Sequence, residues 1–313
     1  MRVVTSGTKL LKPTAIALGN FDGVHLGHQQ VLKPILSVTN AQGEPLFSTT
    51  VTFTPHPREF FSGKSWQLLT PLSEKVVELE KLAIQQLVLL PFDRELAALS
   101  PEQFIEEILV GQLQAQIISV GEDFRFGYQR QGTAEDLKQI AGKLGIAVKI
   151  CRLEVFSTPN QSSRISSSLI RQALVSGDIV QANRMLGREF TLQGTVIQGQ
   201  QLGRKLGFPT ANLQIASDKL LPAKGVYSVN AVLPDGAVIA GVMNIGNRPT
   251  VDGKQLSVEV HLLNWSGDLY DQDLCIKVED FLRPEQKFAS IESLKAQIAA
   301  DCQARQKRLE SCP

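Results

Sequence analysis

An apolar run, Ala15-Ile16-Ala17-Leu18, breaks into Gly19-Asn20-Phe21-Asp22-Gly23-Val24-His25-Leu26-Gly27-His28 and resumes with Val31, Leu32, Ile35 and Leu36 at helical spacing. A strand that ends in glycine and leads directly into a helix is the turn of a βαβ unit, where α/β sheets bind their ligands. Gly19, Gly23 and Gly27 let backbone approach a ligand, and the amides that open the helix, at the positive end of its dipole, suit a polyphosphate. His25 and His28 lie three apart on the first turn, project to one side and can donate hydrogen bonds to the same phosphates. Zinc is not expected, because it needs three or four ligands and His56 and His261 are distant in sequence.

Strand and helix signals then alternate. Leu46 to Phe53, Leu87 to Pro91, Ile117 to Val120 and Ile146 to Cys151 read as strands. A helix capped by Ser73 is expected to run to about Gln86, a second opens at the capping box Ser100-Pro101-Glu102-Gln103, and a third starts at Thr133 and Asp136. This order implies a parallel, doubly wound, Rossmann-like sheet. Polar segments close several strands. In Thr54-Pro55-His56-Pro57 the prolines stop the ladder and hold His56 at a strand's carboxyl end, where it could equally be a surface residue. Gly121 to Gly127 carries Asp123 and Arg125, which could also form a local ion pair. Ser166, Ser167 and Ser168 precede a helix bearing Arg171; capping uses one hydroxyl, and three hydroxyls with an arginine suit a second anion cradle. Gly63-Lys64-Ser65 ends like a P-loop, but Arg58 stands where its first glycine belongs.

Near residue 185 the hydrophobic period changes from 3.6 to 2, dividing the chain into 1–185 and 186–313. Leu192 to Ile197, Gly225 to Val232, Val238 to Met243, Leu256 to Leu263 and Leu274 to Phe281 are short alternating strands, the pattern of an antiparallel barrel. In Gly203-Arg204-Lys205-Leu206-Gly207-Phe208-Pro209-Thr210-Ala211-Asn212, the last hydroxyl and amide fall on one face of extended chain and can share a magnesium ion. Ser257, Glu259 and His261 alternate with apolar residues, so Glu259 on this pattern alone could be a solvent-facing carboxylate. Ser290 caps a final helix whose lysines and arginines read as a solvated face.

With 313 residues, 43% hydrophobic and 20% charged, the chain can form two ordinary globular cores. A net charge of +1 argues against nucleic acid or anionic membrane as partner. Four cysteines without a C-x-x-C pair, no apolar run long enough to span a membrane and no signal-peptide pattern suggest a soluble cytoplasmic protein.

These motifs resemble those of the bacterial bifunctional riboflavin kinase/FAD synthetases. GNFDGVHLGHQ resembles their form of the HxGH nucleotidyltransferase motif, TFTPHP and GEDFRFG two further motifs, and ISSSLIR their ISSTxxR signature with Ser168 in place of threonine. GRKLGFPTAN looks like the GxxxGfPTAN motif of riboflavin kinases. The resemblance implies an α/β nucleotidyltransferase domain followed by an all-β domain, a six-stranded antiparallel barrel with a terminal helix. It implies that the second domain phosphorylates riboflavin to FMN and the first adenylylates FMN to FAD, with ATP as co-substrate and Mg2+ as cofactor. Gly19, Phe21, Gly23, His25, His28, His56, Asp123, Arg125, Ser166, Ser167, Ser168 and Arg171 would then hold the nucleotide for adenylyl transfer, with His25, His28 and Arg171 catalytic. Gly203, Lys205, Gly207 and Thr210 would hold the ATP of the kinase, Thr210 and Asn212 its metal, and Glu259 would be its base. Asn244, Arg248, Thr250, Asp280, Leu282, Arg283 and Phe288 would shape the flavin and nucleotide pockets. Asp271 follows Leu269-Tyr270 where glycine is expected. Two rival readings are the same fold with another phosphorylated substrate, and a flavin-binding carrier with inactive sites. Oligomeric state is left open, a homo-oligomer being compatible with the pattern.

Overall fold

Thr14–Leu18 is buried at all five positions, as befits a strand covered on both faces by helices. The computed structural model, which describes residues 1–5, 10–152, 154–158, 161–199, 202–250 and 253–311, divides into two compact units, Met1–Ser167 and Ser168–Pro313. In the first unit a six-stranded parallel sheet runs in the order Arg2–Val4, Gln86–Pro91, Phe47–Thr54, Thr14–Leu18, Ala115–Gly121, Ala147–Cys151. The chain builds outward from Thr14–Leu18 through two strands on one side, then returns to its other side at Ala115–Gly121. That reversal creates a topological switch point, and the loops after both strands open onto it.

Two apolar clusters seal the faces of this sheet, one around Ile16, Val51, Ile118 and the helical residues Phe104, Ile105, Ile108 and Leu109, the other around Ala15, Ala17, Val31, Leu32 and Leu79. Each fully buried Leu or Ile contributes roughly 1.5–3 kcal/mol by leaving water. The capping box at Ser100/Gln103 forms as expected, and at the helix start expected at Thr133 and Asp136 these two residues form a second one. Two expectations are corrected. The edge strand Arg2–Val4, too short to give a periodic signal, adds a sixth strand. Ser73 is not a cap: the helix runs Leu72–Lys81 with Pro71 at its N-cap, and the left-handed Ala83 ends it well before Gln86.

The second unit begins with two helices, Ser167–Ser176, whose first residue belongs to the unit before it, and Ile179–Leu186. They belong with the barrel by their bonds, downstream of where the units part and upstream of the expected division at 185/186. The Ala223 amide donates to the Leu174 carbonyl at 3.0 Å, Asn183 Nδ2 to the Val278 carbonyl at 2.9 Å, and the Phe190 amide to Asn183 Oδ1 at 2.7 Å. Six antiparallel strands then close a barrel in the order Phe190–Ile197, Ala211–Ile215, Gly253–Leu262, Val238–Thr250, Gly225–Val232, Asp273–Pro284. Val229, Ala231, Met243, Ile245, Val258, Val260, Ile276 and Val278 fill it. Asp271 adopts φ +60°, the left-handed conformation glycine would take freely and aspartate tolerates.

The terminal helix Ile291–Ser311 is capped by Ser290, whose Oγ accepts from the Ser293 amide at 3.2 Å. Its basic residues do not form a purely solvated face. Arg305 is buried, donating to both oxygens of Glu279 and to Asn230 Oδ1, while Asp301 accepts a bidentate pair from Arg283 and Arg308 pairs with Asp280. Cys302 is buried beside these pairs, and burial with the Asp301 carboxylate pushes its thiol pKa up to about 11, so it acts as an apolar packing group. Replacing Arg305 with methionine leaves Glu279 without its cation; the barrel unit should lose about 2–4 kcal/mol of stability, read by chemical denaturation.

Candidate functional site

The loop after Thr14–Leu18 turns sharply through left-handed residues, Phe21 at φ +46°, Gly23 at +94° and Val24 at +42°. It is tied down from several sides. Asp22 Oδ1 accepts from the amides of Leu69 at 2.8 Å and Thr70 at 3.2 Å, the Gly23 amide donates to Thr70 Oγ1 at 2.8 Å, and Lys75 Nζ donates to the Asn20 carbonyl at 2.9 Å. Burial lowers the pKa of Lys75, and the nearby Asp22 carboxylate opposes that shift. Phe21 is wholly buried and packs its ring 5.2 Å from that of His28, so it supports the histidines from within.

His25 is the N-cap of the helix Leu26–Leu32, and its Nδ1 accepts from the His28 amide at 3.2 Å. The two imidazoles stack at 3.6 Å between centroids. With Nδ1 engaged as an acceptor, the neutral His25 ring carries its proton on Nε2, which is thereby a donor. A Cβ on Gly27 would come within 3.2 Å of the His25 ring, so that glycine keeps the stack closed. Ser167 Oγ donates to the Asp22 carbonyl at 2.8 Å, joining the ISSS segment to this loop. Ser166 precedes Ser167, and Ser168 and Arg171 lie on the first turns of the helix that Ser167 begins.

Across the switch point, the loop after Ala115–Gly121 carries Asp123, which pairs with Arg164 at 2.5 Å and not with Arg125. Arg125 is exposed and donates to the Phe124 carbonyl at 3.3 Å. His56 lies two residues beyond the strand Phe47–Thr54 and caps the helix Pro57–Ser62, its Nδ1 accepting from the Arg58 amide at 3.1 Å while its ring stacks on Trp66 at 5.7 Å. Beyond it lies a feature that the sequence reasoning did not single out. Phe53, Phe60, Phe61 and Phe92 pack edge to face, with centroids 5.2–5.7 Å apart, and Phe61 remains 73% exposed. The signal available was the pair Phe60-Phe61, three residues past the TFTPHP motif.

On the barrel, strand register assembles a second candidate site. Glu259 stands directly opposite Asn212 on one neighbouring strand and Asn244 on the other, so the three polar side chains form a row on the outer face. Gly203 folds against the Phe208-to-Thr210 segment that leads into the strand of Asn212. A Cβ there would lie 2.4 Å from the Phe208 carbonyl and 3.3 Å from Thr210 Oγ1, and Gly207 takes φ +88°. His261 Nδ1 lies 2.8 Å from the Pro209 carbonyl, holding the segment before Thr210 to the strand of Glu259. Thr210, Asn212 and Glu259 offer only oxygen ligands of the hard kind that suits magnesium. Among the expected flavin residues, Leu282 packs with Val226, Val242 and Phe208, Arg283 is bound to Asp301 and lies over Phe288, and Asp280 is bound to Arg308. The side chains of Lys205, Arg248 and Thr250 lie outside the described ones.

A histidine-bearing HxGH turn at a switch point, followed by a six-stranded barrel with a polar Asn-Glu-Asn row, defines a two-domain transferase acting on phosphates. Residues 8–169 match the family model described as FAD synthetase, and residues 186–309 match riboflavin kinase. The bifunctional riboflavin kinase/FMN adenylyltransferase of Haemophilus influenzae is 37% identical over 96% of both chains. That of Pseudomonas fluorescens is 40% identical over 92% of this chain and 90% of its own. A crystal structure titled as a macrolide-efflux protein from Streptococcus pneumoniae aligns with a TM-score of 0.84 at 26% identity, covering 97% of this chain and 98% of that one. No helix among the described residues is long and apolar enough to cross a membrane. The chain belongs to the bifunctional riboflavin kinase/FMN adenylyltransferase family. It is a transferase that makes FMN from riboflavin and FAD from FMN, using ATP, with the kinase domain C-terminal.

The close approach at Gly203 makes a direct prediction. Gly203→Ala should lower riboflavin phosphorylation at least about tenfold, because the added methyl displaces the Phe208-to-Thr210 segment by a sizeable fraction of an ångström. FAD formation from supplied FMN, measured in the same preparation, should be unchanged.

Proposed function

We propose that adenylyl transfer runs at the loop of His25 and His28, that riboflavin phosphorylation runs at the row of Asn212, Glu259 and Asn244, and that the functional division falls near 185/186. What carries this reading is that two sequence motifs of unrelated chemistry each fold into one polar surface, the histidines in a stack at the switch point and Glu259 in register between two amides.

In the first domain the phosphate of FMN attacks the α-phosphorus of ATP in line and pyrophosphate leaves. His25 Nε2–H and His28 donate to the α- and β-phosphates, where charge builds in the transition state. Ser166, Ser167, Ser168 and Arg171 hold the leaving β- and γ-phosphates, with Ser167 exchanging its bond to the Asp22 carbonyl for one to the nucleotide. Gly19 and Gly23 admit the nucleotide to the backbone, His56 and Asp123 flank its nucleoside, and Arg125 adds charge. The exposed Phe61 ring, backed by Phe60 and Phe92, offers a face on which the isoalloxazine can stack.

In the barrel, Glu259 takes the proton of the ribityl 5′-hydroxyl as that oxygen attacks the γ-phosphorus of ATP, and ADP leaves. Thr210 Oγ1 and the Asn212 amide oxygen would hold Mg2+, which neutralises charge on the ATP phosphates. Gly203, Lys205 and Gly207 close over those phosphates. Asn244, Arg248 and Thr250 orient the flavin, while Asp280, Leu282, Arg283 and Phe288 hold the terminal helix against its pocket. The cysteine spacing supports placing both reactions in the cytoplasm.

Separating the two half-reactions tests this assignment. With riboflavin, ATP and magnesium the enzyme should give FMN and then FAD by product chromatography. Glu259→Ala should lower FMN formation about 10²–10⁴-fold while FAD formation from supplied FMN persists. The double variant His25→Ala/His28→Ala should do the reverse, and loss of both activities in either variant would contradict independent sites.

A further inference from the structure

Asp22, Thr70 and Lys75 are each more than nine-tenths buried, and each makes a side-chain bond to backbone that ties the His25 loop to the segment from Leu69 to Lys75. The bonds form a reciprocal clasp. The Asp22 carboxylate reaches out to the amides of Leu69 and Thr70, and the Thr70 hydroxyl reaches back to the Gly23 amide at 2.8 Å. Lys75, from the helix Leu72–Lys81, and Thr52, from the strand Phe47–Thr54, both donate to the Asn20 carbonyl, at 2.9 and 3.1 Å.

Within and beside this clasp, Phe21 and Val24 are held in left-handed backbone. That region costs a non-glycine residue roughly 1–3 kcal/mol, and Val24 is β-branched, so the conformation persists only where its surroundings impose it. His25 follows Val24 directly, and the position of its ring depends on that turn. We propose that Thr70, acting with Asp22 and Lys75, is a positioning residue for FMN adenylylation: it fixes the strained turn that aims His25 and the helix start at the α-phosphate. This rests on the assignment of adenylyl transfer to His25 and His28.

A group of this kind acts through geometry. Ground-state contacts between ATP and the loop tolerate a small shift, whereas the transition state does not, and a misplacement of about 1 Å can cost 10²-fold in rate. The loss therefore falls on kcat rather than on KM.

Thr70→Val keeps the side chain's shape and removes the acceptor for the Gly23 amide, while Thr70→Ser keeps the acceptor. With the full-length enzyme, supplied FMN and ATP, Thr70→Val should lower kcat for FAD formation at least about tenfold, with KM for ATP within about threefold of wild type. Thr70→Ser should recover most of the rate, and Lys75→Met should lower the same kcat. Riboflavin phosphorylation in each preparation should match wild type. A wild-type kcat in Thr70→Val, an equal loss in Thr70→Ser, a loss confined to KM, or a parallel fall in kinase rate would each overturn the proposal. A His25→Ala variant separates the two layers: if it retains FAD formation the site assignment itself fails, and if it loses FAD formation while Thr70→Val does not, only the positioning role fails.

Discussion

The first domain depends on a backbone turn that would not stand alone. Phe21 and Val24 occupy left-handed conformations, and the turn survives because the Asn20, Phe21, Asp22 and Val24 carbonyls each accept a bond from within the unit. The supports come from far apart in sequence: Thr52 from a neighbouring strand, Leu69, Thr70 and Lys75 from the next crossover, and Ser167 from the end of the unit. An anion cradle must present donors without collapsing onto them. Satisfying the carbonyls from behind is what the proposed cradle needs, with the histidine stack and helix start as its donors.

The barrel solves a different problem with a simpler device. Strict alternation sends Val258, Val260 and Leu262 to one side and Ser257, Glu259 and His261 to the other. Register then converts one carboxylate on one strand into a row of three polar groups across three strands. The terminal helix is fastened through ion pairs at Arg283, Arg305 and Arg308, and its Ile298 and Cys302 pack in the same cluster as Phe208 of the glycine-rich segment. Helix docking and the glycine-rich segment therefore share one apolar cluster.

Much of this was legible from the chain alone because it rests on local patterns. The strand before Gly19, the capping box at Ser100, the helix start at Thr133, the cap at Ser290 and the change of period before Phe190 each follow from residues within a few positions of one another. Local reasoning failed where another element decided the outcome. Ser73 looked like a cap, but Pro71 begins the helix and the left-handed Ala83 ends it early. The arginines of the last helix looked solvated, yet Arg305 finds Glu279 and Asn230 on the barrel. A local pair of Asp123 with Arg125 was the alternative their spacing left open, and the fold gives Asp123 to Arg164 instead, forty-one positions away.

By itself, the sequence determined the two-domain fold class and the order of its chemistries, because glycine turns, helix starts and strand alternation are properties of short segments. Tertiary structure alone decided which groups hold the candidate site residues in place. Nothing near Gly23 in sequence announces Thr70 or Lys75, and nothing near Glu259 announces Asn212 and Asn244 as its neighbours. A buried carbonyl accepts from, and a buried amide donates to, whatever partner the fold brings within hydrogen-bond distance, and that partner is chosen by topology and register rather than by its distance along the chain.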